Sequence, residues 1–233
     1  MHILSNVLLS AEGPDRLRLS ATDLYLGVTS LVPASIKKGG TIAVAARTLF
    51  DIVKNLPDGE VSWSLSDSHA VEVKCGKVRY RIPAMPGEDF PPLPNPGDAD
   101  FAHLEAEVLA ELIGLTQYSM SHDDTRPHLA GTLFEGDGKV VRMVTTDSHR
   151  LSKAEHKVGG KGGMMNFSML VPHKGISELK RLLDDVKSAK SKGGESTTVG
   201  ICTSGGNAFF QRDDLCLSVK LADENFPPYS KVV

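Results

Sequence analysis

Residues 128–151 read HLAGTLFEGDGKVVRMVTTDSHRL, and this stretch decides the fold. GTLFE and VVRMVTT are short runs rich in β-branched and apolar residues, separated by a turn at Gly136-Asp137-Gly138. Such a pattern reads as a β-hairpin. The same plan stands near the start of the chain, where LSNVLLS, a turn at Glu12-Gly13-Pro14-Asp15 and LRLSAT make a second hairpin.

The correspondence extends beyond the hairpins. Residues 3–10, ILSNVLLS, return as 128–135, HLAGTLFE, and Leu17-Arg18-Leu19 with Thr22-Asp23 return as Val141-Arg142-Met143 with Thr146-Asp147. Ile42-Ala43-Val44 runs into ARTLFDIVKNL, and Met169-Leu170-Val171 runs into PHKGISELKRLL. Phe90-Pro91-Pro92 matches Phe226-Pro227-Pro228, each after acidic residues. Four landmarks in one order define an internal repeat of long period. The segment FPPLPNPGDAD cannot continue a helix or a central strand, so it reads as a linker. The expected domains are 1–97 and 98–233. Before its hairpin the second unit carries FAHLEAEVLAELIGL, whose Leu104, Val108, Leu109, Leu112, Ile113 and Leu115 follow helical spacing over 104–115. The first unit has no counterpart, so it is expected to start roughly 25 residues late relative to the second.

Composition narrows the function classes. The chain has 233 residues, 40% hydrophobic and 24% charged, which suits a folded globular protein of one or two domains. Net charge is −3, which excludes a wholly basic nucleic-acid binder but not a locally basic face. No apolar run reaches the length of a membrane span. MHILSNVLLS lacks a basic start followed by a long apolar stretch, which argues against a secretory signal. Cys75, Cys202 and Cys216 are scattered and form no CxxC pair, so free buried thiols in a reducing compartment are expected rather than a zinc site or a disulfide framework.

Further strands are expected at YLGVTSLVP, TIAV, VSWSLS, AVEVKC and KVRYRIP, with a helix at 46–56 stopped by Pro57. The second unit repeats this with SMLV, a helix at about 173–186, TTVGICT, AFFQR and LCLSVKL; GGKGG at 159–163 and SKGGES at 191–196 read as loop tips. Short strands with few helices, organised twice, give an α+β class in which helices cover one side of antiparallel sheet.

PHLAGTLFE, TTDSHRLS, VPHKGISELKRLL and ENFPPYSKVV, together with ATDL, AARTLFDIVKNLPDGEV and MPGEDFPPLP of the first unit, closely resemble the β sliding clamp of bacterial DNA polymerase III. The resemblance covers essentially the whole chain. It implies the DNA-clamp fold: repeated domains with antiparallel sheets outside and paired helices inside, three to a protomer, two protomers closing head to tail around duplex DNA. It implies a cytoplasmic, non-catalytic scaffold without cofactor or metal, whose partners are duplex DNA, polymerase subunits, the clamp loader and repair factors. This chain would hold the first domain, without its opening strand and helix, and the second. Without a third domain a monomer is expected.

Three sets of residues follow from the resemblance. The peptide-binding positions are Leu129, Thr146, Ser148, His149, Arg150, Leu151, Pro227, Lys231 and Val232. Ser148 stands where the family usually has Gly, Lys231 where Arg is often found, and His128 where Tyr is common. The second wall of the pocket belongs to the absent domain, so a half-built pocket is expected. The DNA-proximal positions are Arg47, Lys54, Arg126, Lys174, Lys180 and Arg181, with sequence-independent, salt-sensitive contacts. The protomer-interface positions are Thr48, Ile52, Tyr80 and Ile82, with an exposed edge strand around KVRYRIP. Read without the resemblance, Asp147 and His149 invite a hydrolase, although adjacent residues do not converge as a triad must; a free-standing peptide-binding module is the other alternative.

Overall fold

A computed structural model describes residues 3–66, 70–123, 125–158, 166–189 and 198–231. Both expected loop tips, at 159–163 and 191–196, lie outside the described residues. The chain divides into two compact units, Met1–Leu93 and Pro94–Val233.

The first unit runs β1 (Asn6–Glu12), β2 (Arg16–Thr22), β3 (Leu26–Pro33), β4 (Thr41–Ala45), α1 (Ala46–Lys54), β5 (Val61–Ser66), β6 (Ala70–Cys75) and β7 (Val78–Pro86). Its strands lie antiparallel in the order β5-β6-β7-β4-β1-β2-β3. Helix α1 follows β4 without an intervening residue and turns Leu49 into a core with Leu9, Val44, Val71, Val73 and Ile82. Ile52 and Leu56 pack at its margin. The strand expected at the sheet edge, 77–83, is not terminal. Val78–Pro83 pairs with β6, Ala84–Pro86 continues onto β4, and β5 ends the order. The cause is length: a nine-residue strand reaches two neighbours in succession.

The second unit runs β8 (Ala102–Glu105), α2 (Ala106–Thr116), β9 (Gly131–Asp137), β10 (Val140–Thr146), β11 (Leu151–Lys157), β12 (Asn166–Pro172), α3 (His173–Ala189), β13 (Thr198–Ser204), β14 (Asn207–Arg212) and β15 (Leu215–Lys220). Two antiparallel sheets result, β11-β10-β9-β12 and β15-β14-β13-β8. Gly205 and Gly206, both at positive φ, make the two-residue turn between β13 and β14. Helices α2 and α3 pack on one another and on strands of the sheets. Leu109 and Ile113 of α2 and Ile176, Leu179 and Leu183 of α3 are buried with Phe134, Met143, Phe209 and Phe210. Gly175 lets α3 sit directly on β15, because a Cβ there would run into Val219.

Helix boundaries differ from expectation: α1 ends at Lys54 rather than at 56, and α3 runs to Ala189 rather than to about 186. Leu104 belongs to β8, where it alternates with exposed neighbours, and α2 begins at Ala106. Leu115 is not on the packed face either; it is 53% exposed.

Candidate docking site

β10 ends at Thr146 and β11 begins at Leu151, and the four residues between them fold into a self-closed turn. The Thr146 hydroxyl donates to the Arg150 carbonyl at 2.8 Å and accepts the Ser148 N–H at 3.2 Å. Asp147 Oδ1 accepts the backbone N–H groups of His149 and Arg150, both at 3.0 Å, and Oδ2 accepts the Arg150 Nε–H at 2.9 Å. These bonds, the His149 N–H first, hold the Asp147 carboxyl down to about 2 from its ordinary 3.8. Ser148 has φ +82°, a left-handed conformation that glycine adopts without cost. That accounts for glycine's place in the related pattern.

Both Asp147 oxygens are therefore engaged in shaping the backbone, and His149 points into solvent. The arrangement builds a rigid turn, not a general base aimed at a nucleophile.

Around the turn, Arg126 bridges Asp123, at 2.8 Å, and the Ser148 hydroxyl, at 3.4 Å. The Arg150 guanidinium lies 6.0 Å from the Tyr118 ring centroid, a cation–π distance. Leu129 is 3% exposed; its N–H donates to the Arg126 carbonyl and its carbonyl accepts the Ser121 N–H, which fixes it within the 121–130 loop. Leu151 lines an open groove of about 410 Å³ between α2 and β11, together with Leu115, Tyr118 and Leu112. The structure thus brings Thr146, Ser148, His149, Arg150 and Leu151 together, whereas Leu129 is buried in the 121–130 loop. Pro227 is half-buried on the segment after β15, and Lys231 lies in a short 3₁₀ turn, Tyr229–Lys231. Val232 and the Lys231 side chain lie outside the described residues. Tyr118, Leu115 and Arg126 are neighbours of the turn that sequence reasoning did not assign to it. Tyr118 precedes it by some 30 residues, and only the fold joins them.

The basic positions fall on different elements. Arg47 and Lys54 are exposed on α1; Arg47 pairs with Asp51, and Lys54 stands over the Phe50 ring. Lys174, Lys180 and Arg181 are on α3, where Arg181 pairs with Glu178 at 2.7 Å and Lys180 Nζ donates to the Gln117 side chain at 3.4 Å. Arg126 is in the loop beside the docking turn instead. Of the interface positions, Thr48 and Tyr80 are exposed, Ile52 is half-buried on α1, and Ile82 is 1% exposed within the core of the first unit.

Repeated α+β units of this kind, with a rigid turn presented beside an open groove, define a scaffold class. Comparison with known proteins makes the class specific. The model of the DNA polymerase III beta subunit N-terminal domain matches residues 1–94, and that of its central domain matches 103–228. The chain belongs to the DNA polymerase III beta subunit family. It is 36% identical over 237 residues to the beta sliding clamp of Caulobacter vibrioides and 34% over 235 residues to that of Escherichia coli K12. It spans 99% of its own length in both matches, and 61% and 60% of theirs. Among solved structures, the DNA polymerase sliding clamp of Caulobacter crescentus matches with a TM-score of 0.87 at 34% identity, covering 99% of this chain and 61% of that one. A Bartonella birtlesii sliding clamp bound to griselimycin matches with 0.83 at 34% identity, covering 99% and 60%.

Proposed function

We propose that this chain serves as part of a sliding clamp. In this reading it tethers a replicative polymerase and other factors to duplex DNA in the bacterial cytoplasm and performs no chemistry of its own. The observation that carries the reading is the match of both units, in order, to two successive domains of one family. Among the described residues no helix is long and apolar enough to cross a membrane.

DNA would meet the helix-bearing faces through Arg47, Lys54, Lys174, Lys180 and Arg181; Arg126 lies instead in the loop beside the turn after β10. Several of these cations are already paired with acidic neighbours, and the exposed Glu107 and Glu111 lie on α2. Attraction to phosphates is then weak and non-specific, which suits a protein that must slide. Partner proteins, the clamp loader among them, would insert apolar anchors of linear motifs beside Thr146, Leu151 and Pro227; griselimycin, to which the Bartonella birtlesii clamp is bound, is proposed to enter the same site in this chain. Closure into a head-to-tail homodimer ring would belong to the family's whole protomer, with the exposed Thr48 and Tyr80 and the half-buried Ile52 on the side that would meet a partner; Ile82, expected there too, is buried in the core of the first unit and would not reach it.

A fluorescence-anisotropy titration of labelled duplex DNA over a salt series tests the DNA half of the proposal. Affinity falls with salt, and Lys180→Glu with Arg181→Glu flattens the log–log slope by up to about 2. Binding with no salt dependence, or a slope untouched by the pair, overturns it.

A further inference from the structure

The sheet face that carries Thr146 and Leu151 also carries a polar row. Ser168, Glu135, Arg142 and Glu155 stand opposite one another on β12, β9, β10 and β11. Ser168 Oγ donates to Glu135 Oε1 at 3.4 Å, and Arg142 Nη2 donates to Asp137 Oδ2 at 2.8 Å. Arg142 Nε is a buried donor without a hydrogen-bond partner, 3.9 Å from Glu155 Oε2. Alternate residues of a strand share a face, so Arg142 and Thr146 of β10, and Glu155 and Leu151 of β11, point the same way. Four residues of strand place the polar row ~14 Å from the docking turn.

The chain returns to this face after β15. Ala222 N–H donates to the Leu170 carbonyl of β12 at 3.1 Å. Seven residues later the Tyr229 hydroxyl donates to Glu135 Oε2 at 2.7 Å. Burial, followed by the bond to Glu135, pushes the Tyr229 hydroxyl pKa up, so it remains a donor at neutral pH. Phe226 packs edge-on to the Tyr229 ring, with centroids 6.4 Å apart. Pro227 stands between the two anchors, and Lys231 follows the second.

We propose that Tyr229 is a positioning residue for the docking site: its bond to Glu135 holds the 222–231 segment on the sheet face and so sets where Pro227 stands relative to Leu151. The inference rests on the docking reading above. Tyr229 itself touches no partner; it acts through the segment. Glu135 is the acceptor, braced by Ser168 beside it.

The test uses the whole chain with griselimycin as the probe, read by isothermal titration, and amide hydrogen exchange of residues 223–231. Tyr229→Phe removes one hydroxyl and keeps the ring. It weakens griselimycin binding about tenfold, equivalent to ~1.4 kcal/mol, and speeds exchange of 223–231 while β9 and β10 keep their protection. Glu135→Gln retains an acceptor and keeps most of the affinity; Glu135→Ala behaves as Tyr229→Phe. Leu151→Ala separates the two readings. If Leu151→Ala weakens binding and Tyr229→Phe does not, the positioning role is wrong and the docking reading stands. If Leu151→Ala has no effect, or the wild-type chain takes no griselimycin, the docking reading fails. Exchange of 223–231 unchanged by Tyr229→Phe overturns the anchor whatever the probe does.

Discussion

Asp23 and Asp147 occupy the same place in two copies of one turn. Asp23 Oδ1 accepts the N–H groups of Tyr25 and Leu26 at 3.0 and 2.7 Å, as Asp147 Oδ1 accepts those of His149 and Arg150. Thr22 donates to the Leu26 carbonyl at 2.6 Å as Thr146 does to that of Arg150. Leu24 and Ser148, between them, are both left-handed, at φ +77° and +82°. The Thr-Asp pair is thus a folding instruction used twice, and only surroundings distinguish the second copy, the proposed docking site. Four predictions follow from the geometry around these turns and the sheets that carry them.

The Asp147 turn is acid-sensitive in a defined window. Its carboxyl is depressed from 3.8 to about 2 by the hydrogen bonds it accepts. A depressed carboxyl stabilises the fold above its unfolded value and loses that contribution as pH falls through the folded one. Between 3.8 and about 2 the turn should loosen. Carboxyl chemical shifts of Asp147 and amide exchange at His149 and Arg150 follow it. A midpoint at the ordinary value contradicts the hydrogen-bond pattern.

Relief of the left-handed residues should stabilise both units. Ser148→Gly and Leu24→Gly each remove a Cβ from a conformation that disfavours it, and Leu24 is 60% exposed, so little packing is lost. The expected gain is about 0.5–1 kcal/mol each, after the larger unfolded-state entropy of glycine is deducted. Urea midpoints measure it; destabilisation by both variants would mean that the turns are not strained.

Gly131 marks a close approach of β9 to β12. A Cβ there would stand 2.7 Å from the Val171 carbonyl oxygen, a backbone atom that cannot swing away. Gly131→Ala should cost about 1–3 kcal/mol, read by thermal unfolding. A neutral variant would show that the strands can separate freely at this point.

The Cys202 thiol should be inert in the native protein. Burial first, then the neighbouring Cys216, pushes it up to about 11. At pH 8 roughly a thousandth is thiolate. Alkylation followed by mass spectrometry should label Cys202 slowly in buffer and readily in denaturant; rapid native labelling would refute its burial.

Much of the fold was legible because the signals were local. Hairpins declared themselves by turn residues, and α1 by the spacing of Leu49, Ile52, Val53 and Leu56, although Val53 is 47% exposed and Leu56 falls beyond Lys54, where the helix ends. Leu104 misled because β8 runs into α2 with no turn between and no side-chain cap at Glu105. A strand of four residues then continues smoothly into the helical spacing. The turn proposed for docking was legible as a turn from Thr146-Asp147 and its flanks. Its neighbours were not, because Arg126–Ser148 and Tyr229–Glu135 join residues 22 and 94 positions apart. Contacts at such separation leave no periodicity to read.

The central claim is that the second unit presents a docking site at the end of β10. Backbone amide spectra of the ¹⁵N-labelled chain, recorded during titration with griselimycin, test it most directly. The account predicts shifts concentrated at Thr146, Ser148, His149, Arg150 and Leu151 and at residues flanking Pro227, lost on Leu151→Ala. Shifts centred elsewhere in the chain, or none at saturating griselimycin, would contradict it.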